Sequence, residues 1–358
     1  MDAFTPQQTI ELVSRIGTKK AHMRLDKLWW NSFMSGPLLG FGCAILMSTG
    51  ASPWYQENAP GLIRTISAIG FPVGGLIMIV LTGADLFTSN VMFMSTALLH
   101  RRISVLDLLK NWVVSFFGNL AGSLFFMAII TGYGGIFEET PIYKQAAITL
   151  VIAKAQTPHW HQIFLRGIAA NWLVCLAVFL SIQARDVASK IIAIWFPTFT
   201  FVALAFDHVV ANMFIIPQGI WAGAPFGAGY YIWKSMIPTL LGNIVGGGLF
   251  VGVAYWYLYL TGEMVSVTFD TSSLPAAMEA GGPMRRTQTE KDRDTSHQNG
   301  GTIHGLDPEE QQGQRQLPQS GTQMMSSIGR ELSDDSPYAK THAERVKQGR
   351  EESLEEKV

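Results

Sequence analysis

Charge and cysteine are what this sequence has least of. Its two cysteines, Cys43 and Cys175, both lie inside apolar runs, which excludes a disulfide framework and a CxxC metal or redox site. Charged residues make up 15% of the 358 positions, against about 25% in an average soluble protein. The shortage is uneven. Of 27 acidic and 26 basic residues, the first 261 positions hold only 10 and 15, and the remaining 97 positions hold 17 and 11. A stretch this poor in charge excludes a soluble enzyme wetted on all sides. Its scattered cations also form no basic stripe, so no nucleic-acid partner is expected. The opening residues MDAFTPQQ lack a charged start leading into an apolar core, so no cleavable signal peptide is expected.

What is present is a series of apolar runs. A helix crossing roughly 30 Å of hydrocarbon needs about 20 apolar residues. Six segments qualify: 30–49, 63–99, 110–132, 163–184, 190–216 and 235–260. Trp29, Trp30, Trp54, Trp112, Trp160, Trp221 and Trp233 fall near their ends, where indole rings favour the membrane interface. Small residues four apart recur inside them (Gly36/Gly40, Gly70/Gly74, Gly118/Gly122, Gly242/Gly246), a spacing that lets helix backbones approach closely. Loop cations set the orientation. Arg15, Lys19, Lys20, Arg24, Lys27, Arg101, Arg102, Lys110, Arg185 and Lys190 lie on one side, and Arg64, Lys144, Lys154, Arg166 and Lys234 on the other. Both termini are therefore expected in the cytoplasm. Residues 5–21 read as an amphipathic helix lying on the membrane, capped by Thr5, with Pro6 in its first turn and Ile10, Val13 and Ile16/Gly17 along one face. The expected organisation is a cytoplasmic segment over 1–29, a pore domain over 30–261 and a disordered cytoplasmic tail over 262–358.

The apolar part repeats internally. Asp85-x4-Asn90 is answered by Asp207-x4-Asn212, and Gly118-Asn119-x2-Gly122 by Gly242-Asn243-x2-Gly246. Each half then holds three spans. Three is odd, so the halves enter the membrane in opposite senses, and such inverted repeats place a substrate site at their interface near the midplane. The Asp-x4-Asn segments sit within the long second and fifth spans, where polar groups on an unbroken lipid-facing helix are costly. Breaking both helices to line a cavity resolves the cost. On this reading Asp85, Asn90, Asp207 and Asn212 cap and pin the broken ends rather than touch substrate.

One histidine, His208, lies within a span, at the second break. A buried imidazole there can donate to an anion or pass it a proton. A lone intramembrane histidine is too few ligands for a membrane di-iron or di-haem enzyme. No metal, cofactor or enzymatic activity is therefore expected. His159 and His161 could form a metal pair but fit a solvated loop better.

With these residues in view, the chain resembles the formate/nitrite transporter family. The resemblance covers residues 5–260. It rests on Lys19-Lys20-Ala21, Gly83-Ala-Asp-Leu-Phe-Thr88, the run from Arg166 to Val178, Phe206-Asp-His-Val-Val-Ala-Asn-Met-Phe214 and Gly242-Asn-Ile-Val-Gly-Gly-Gly248. The long polar tail is similar to the fungal nitrite-transporter branch. The resemblance implies an all-α membrane protein: six transmembrane helices in two inverted three-helix repeats, with helices 2 and 5 broken. It implies an aquaporin-like protomer with its own pore and a homopentamer in the plasma membrane. It also implies apolar constrictions at Leu76, Phe87 and Phe201, with Val174 near the slit, and polar positions at the pore centre at Thr88, Asn171 and His208. Asn243 matches a polar residue of the sixth span, and Lys154 a vestibule lysine. Asp207 stands where many relatives carry glutamate.

A bare anion in an apolar slit faces a desolvation cost of many kcal/mol, whereas its neutral conjugate acid does not. With the substrate that the resemblance implies, the expected function is nitrite uptake together with a proton, the anion being neutralised near His208. Formate or another short monocarboxylate would use the same pore, and a channel for neutral small solutes is the further alternative.

Overall fold

In the computed structural model, residues 3–261 are described. The tail expected over 262–358 lies outside the described residues. The described part is helical, apart from one antiparallel bridge between Ala3 and Ala184. Helix α1 spans Pro6–Ala21, α2 Leu25–Gly50 and α3 Pro53–Asn58. Helix α4 spans Pro60–Thr82, interrupted at Gly75; α5 spans Phe87–Leu99 and α6 Val105–Tyr133. After a connection, α7 begins at Pro141–Val151 and continues through a wider π-helical turn at Ile152–Gln156. Helix α8 spans Trp160–Gln183, α9 Val187–Ala203, α10 Val209–Trp221 and α11 Ala228–Leu260. Helices α2, α4, α6, α8 and α11 are each long and apolar enough to cross a membrane. The pairs α4/α5 and α9/α10 are the two broken spans.

The order makes the repeat explicit. Shifting α1 and α2 by 135 positions gives α7 and α8, and shifting α5 by 122 gives α10. The packing follows the same rule: α2 lies along α6, and α8 along α11. The short helices cross over, so that α5 packs on α8 and α11 of the other repeat, and α10 on α2 and α6. Each break is thereby enclosed by both halves. Close approach depends on the glycine pairs. A Cβ on Gly122 would collide with the carbonyl of Phe33, and one on Gly246 with the carbonyl of Ile168.

Two expectations change. The N-terminal helix has the expected extent and cap, with Thr5 Oγ1 accepting from Gln8 N and Gln8 Oε1 from Thr5 N. Its apolar face, however, does not lie on lipid. Ile10, Leu12 and Val13 are buried, and α1 packs on α5, α8 and α11, because that face is covered more fully by the bundle than by a membrane surface. Its mate α7 was not anticipated from the sequence. Its apolar residues form no run long enough to span, so periodicity left it in a loop.

Candidate functional site at the two helix breaks

Both breaks are built in the same way. The first follows Gly83, whose φ of 72° is left-handed, and runs without helical structure through Ala84 and Asp85 to an extended Leu86. The second follows Ala205, whose φ of 56° is also left-handed, and runs to His208. Unwinding leaves backbone amides and carbonyls without helical partners in an apolar layer, at several kcal/mol each if unmet. One asparagine meets them at each break. Asn119 Oδ1 accepts from Phe87 N at 2.8 Å, and its Nδ2 donates to the carbonyls of Asp85 at 2.8 Å and Ser32 at 2.7 Å. Asn243 Oδ1 accepts from Val209 N at 2.8 Å, and its Nδ2 donates to the carbonyls of Asp207 at 3.0 Å and Gly167 at 2.8 Å. A carboxamide suits this role because it presents a donor and an acceptor side by side, as a peptide group does.

The aspartates do different work from the caps expected of them. Asp85 forms an ion pair with Lys20 of α1, and Asp207 Oδ1 one with Lys154 of α7 at 2.9 Å. Asn212 Nδ2 donates to Asp207 Oδ1 at 3.4 Å. Asn90 is buried, and neither polar atom of its side chain has a partner among the described residues. The half-helix ends are thus closed by Asn119 and Asn243, and each aspartate anchors a lysine from a short surface helix.

Between the breaks, His208 Nε2 lies 2.8 Å from Thr88 Oγ1. His208 is also the N-cap of α10, its Nδ1 accepting from Ala211 N at 3.1 Å. An Nδ1 that accepts carries no proton, so the ring proton is on Nε2 and is donated to Thr88 Oγ1. The threonine hydroxyl proton is then free to be donated onward. Asn171 ties the two repeats together from behind, with both of its amide protons engaged by the carbonyls of Thr88 at 3.0 Å and Asn243 at 2.7 Å. Cys175 Sγ lies 3.3 Å from the same Thr88 carbonyl.

A cavity of about 560 Å³ descends from the α7 side to this point. Phe201, Lys154, His208 and Asn212 line it. The Phe201 ring stands 6.0 Å from the His208 ring and 5.6 Å from that of Phe71. Leu76, Phe87 and Val174 are buried, and Phe87 packs edge-on against Phe116 at 5.5 Å. Among the residues expected in the site, the structure therefore puts Phe201, Lys154, His208 and Asn212 on the cavity. It buries Leu76, Phe87, Thr88, Asn171, Val174, Asp85, Asn90, Asp207 and Asn243 in the surrounding walls.

Sequence reasoning passed over three residues. Asn119 was visible in the Gly-Asn-x2-Gly repeat but was not carried into the site. Lys20 stands 134 positions before Lys154, a spacing close to the repeat, and was read only as a loop cation. Phe71, on the cavity wall, left no signal. His159 and His161 stack with ring centroids 5.8 Å apart, and His159 N donates to Gln162 Oε1 at the start of α8. Among the described residues no group of three metal-ligating side chains comes together.

Opposed three-span repeats with two broken helices meeting around a polar centre define a multi-pass membrane transporter or channel of aquaporin-like fold. The sequence profile described as "Formate/nitrite transporter" matches residues 7–257, and the chain belongs to the formate/nitrite transporter family. It is 38% identical over 273 residues to a "Probable formate transporter" of Methanothermobacter thermautotrophicus, covering 72% of this chain and 97% of that protein. It is 36% identical over 250 residues to "Formate-nitrite transporter 3" of Toxoplasma gondii, covering 68% and 49%. A solved structure titled "Pentameric formate channel with formate bound" superimposes with a TM-score of 0.58 at 29% identity, covering 66% of this chain and 98% of that one. The family is one of transporters and channels, not of enzymes.

Proposed function

We propose that this protein carries nitrite across the plasma membrane together with a proton, with formate as the nearest competing substrate. In this reading the α1 face is cytoplasmic, as are both termini, and five copies assemble with one pore each. The observation that carries it is the Thr88–His208 contact at the foot of the cavity, where the two breaks meet. Relatives named for formate and for formate-nitrite, and a pentameric neighbour with formate bound, support the substrate class and the assembly. The tail resembling the fungal branch favours nitrite.

The chemistry follows from the hydrogen-bond order. A small anion entering the cavity meets Lys154, whose charge Asp207 already balances, and then the Thr88 hydroxyl. That hydroxyl accepts from His208 and is free to donate to the anion, and donation in a chain polarises it further. Beyond it the walls are apolar, and burial favours the neutral acid over its anion. The anion therefore combines beside Thr88 and His208 with a proton that enters from the bulk down the proton gradient, and crosses the Leu76, Phe87 and Phe201 constrictions uncharged. His208 acts as a neutral donor that orients Thr88, since giving up the role of α10 cap would orphan the Ala211 amide.

Purified protein in proteoliposomes should take up nitrite at least tenfold faster with an imposed inward proton gradient, and formate should compete. His208→Asn keeps a good N-cap residue while removing the ring, and should lower gradient-driven uptake by tenfold or more without loss of assembly. Nitrite uptake indifferent to the gradient would sink the proton-coupled reading. Flux of water or ammonia without anion flux would favour a neutral-solute channel, and faster formate than nitrite uptake would reassign the substrate.

A further inference from the structure

The cavity on the α7 side is far larger than the anions considered above require. At about 560 Å³ it falls within the range of roughly 300–1,000 Å³ typical of sites for drug-sized ligands. A triatomic anion displaces little more than a water or two, each with a share of about 30 Å³ of liquid. The walls are mostly apolar, with Leu46, Phe71, Leu150 and Phe206 among them, yet Arg64 and Arg166 also line the cavity. Neither arginine has an ion pair or hydrogen bond among the described residues, and no aspartate or glutamate lines the cavity. Lys154, by contrast, is already held by Asp207.

The space is not a by-product of the repeat. Ala146, Thr149 and Leu150 of α7 line it, at the positions matching Glu11, Ser14 and Arg15 of α1. On the α1 side those three residues are instead tied into a polar cluster. Glu11 pairs with Arg15 at 2.6 Å and with Arg102 at 2.7 Å, and Ser14 Oγ lies 3.0 Å from His100 Nδ1. Where one repeat has a charged cluster, the other has small and apolar side chains and two arginines without counter-charge among the described residues.

We propose that this cavity is a binding site for amphipathic organic monoanions, with the carboxylate or sulfonate held by Arg64 and Arg166 and the apolar body on the wall around Phe71 and Leu150. Such a molecule is too bulky to pass Phe201 and His208, so its occupancy stops passage from that side. The blocking clause rests on the transport reading above; the binding does not.

Naphthalene-2-sulfonate is the probe, because a sulfonate stays ionised and cannot itself dissipate a proton gradient. Calorimetric titration of the full chain in lipid nanodiscs should show saturable binding at one site per chain. Affinity should fall at least tenfold for neutral naphthalene-2-methanol, and equally for the sulfonate in the Arg64→Gln/Arg166→Gln double variant. Absent binding, equal binding of the alcohol, or unchanged affinity in that variant overturns the proposal. Should the double variant fail to assemble, Ala153→Trp, which fills the cavity from an exposed wall position, must weaken binding by a similar factor; full affinity in it overturns the proposal as well. Uptake in proteoliposomes forms the second arm, with block expected from the α7 face alone. Binding without any nitrite or formate uptake would remove the transport reading and leave the site standing. Uptake without binding would do the reverse.

Discussion

The two repeats share a scaffold and differ in how their outer helices are held. Both breaks have an asparagine clamp, a left-handed residue before the turn, and an aspartate paired with a lysine from a short helix. Yet α1 is fastened to the α5–α6 connection by Glu11, Arg15, Arg102 and His100, while the matching face of α7 opens on a cavity. The clamp sits in an apolar layer where every unmet backbone group is costly, and it is identical in both halves. The surface helices lie where water can solvate an alternative, and there the halves have diverged.

The strongest way to break the comparison is to remove one clamp at a time. Asn119→Ala and Asn243→Ala each orphan one amide and one carbonyl of the break (Phe87 N and Asp85 O, or Val209 N and Asp207 O). At about 1–3 kcal/mol for each unsatisfied buried group, either variant should lose about 2 kcal/mol or more, read as a lower thermal midpoint of the detergent-solubilised protein. The two losses should match. A large loss in one and none in the other would show that the breaks are not equivalent.

Next in size is the charged cluster on α1. Glu11→Gln leaves Arg15 and Arg102 without their carboxylate and should loosen α1, costing about 1–3 kcal/mol as a lost charged hydrogen-bond partner. The readout is faster hydrogen exchange of the α1 amides. Thr149→Ala, at the position in α7 matching Ser14, should leave its own helix unchanged. The cluster also carries a pH dependence. Burial, and then the charge of Arg102, hold the His100 imidazole below its ordinary range near 6.5, while Glu11 opposes them and Arg15 adds to the depression. A histidine depressed in the folded state binds fewer protons than in the unfolded chain, so stability rises with pH through that window. Protection of α1 should therefore be full above about pH 6.5 and weaken as pH falls below it. His100→Gln should flatten the dependence; an unaltered profile in that variant would assign it elsewhere.

The smallest expected effect concerns the turn residues. Ala205 adopts a left-handed φ that glycine holds at the matching position, Gly83. Left-handed backbone costs a residue with a Cβ about 1–2 kcal/mol, partly offset by the greater freedom of glycine when unfolded. Ala205→Gly should stabilise by about 0.5 kcal/mol, and Gly83→Ala should destabilise by about 1 kcal/mol. Opposite signs in chemical denaturation would sharpen the equivalence of the breaks, whereas a stabilised Gly83→Ala would contradict it.

Much of this architecture was readable from residue order. The six apolar runs, the Asp-x4-Asn pair and the Gly-Asn-x2-Gly pair identify two opposed triplets and the crossings that break, because lipid permits few alternatives. The lone intramembrane histidine marks the centre for the same reason. Helix α7 and the roles of Lys20, Asn119 and Phe71 were not readable. A 16-residue helix with mixed polarity has no spanning signal, and an asparagine inside an apolar run does not announce which backbone it will bridge.

Sequence alone therefore determined the number of crossings, their opposed sense and the places where they fail, since each depends on local polarity weighed against a hydrocarbon layer. Only the tertiary structure decided that Asn119 and Asn243 close the breaks, that the aspartates reach back to lysines on separate helices, and that α1 is ion-paired to the bundle where α7 faces a cavity. Those outcomes depend on which side chains meet across tens of positions of chain, 32 for Asn119 and Phe87 and 65 for Lys20 and Asp85. Distance along a sequence carries no information about such meetings until the backbones have packed.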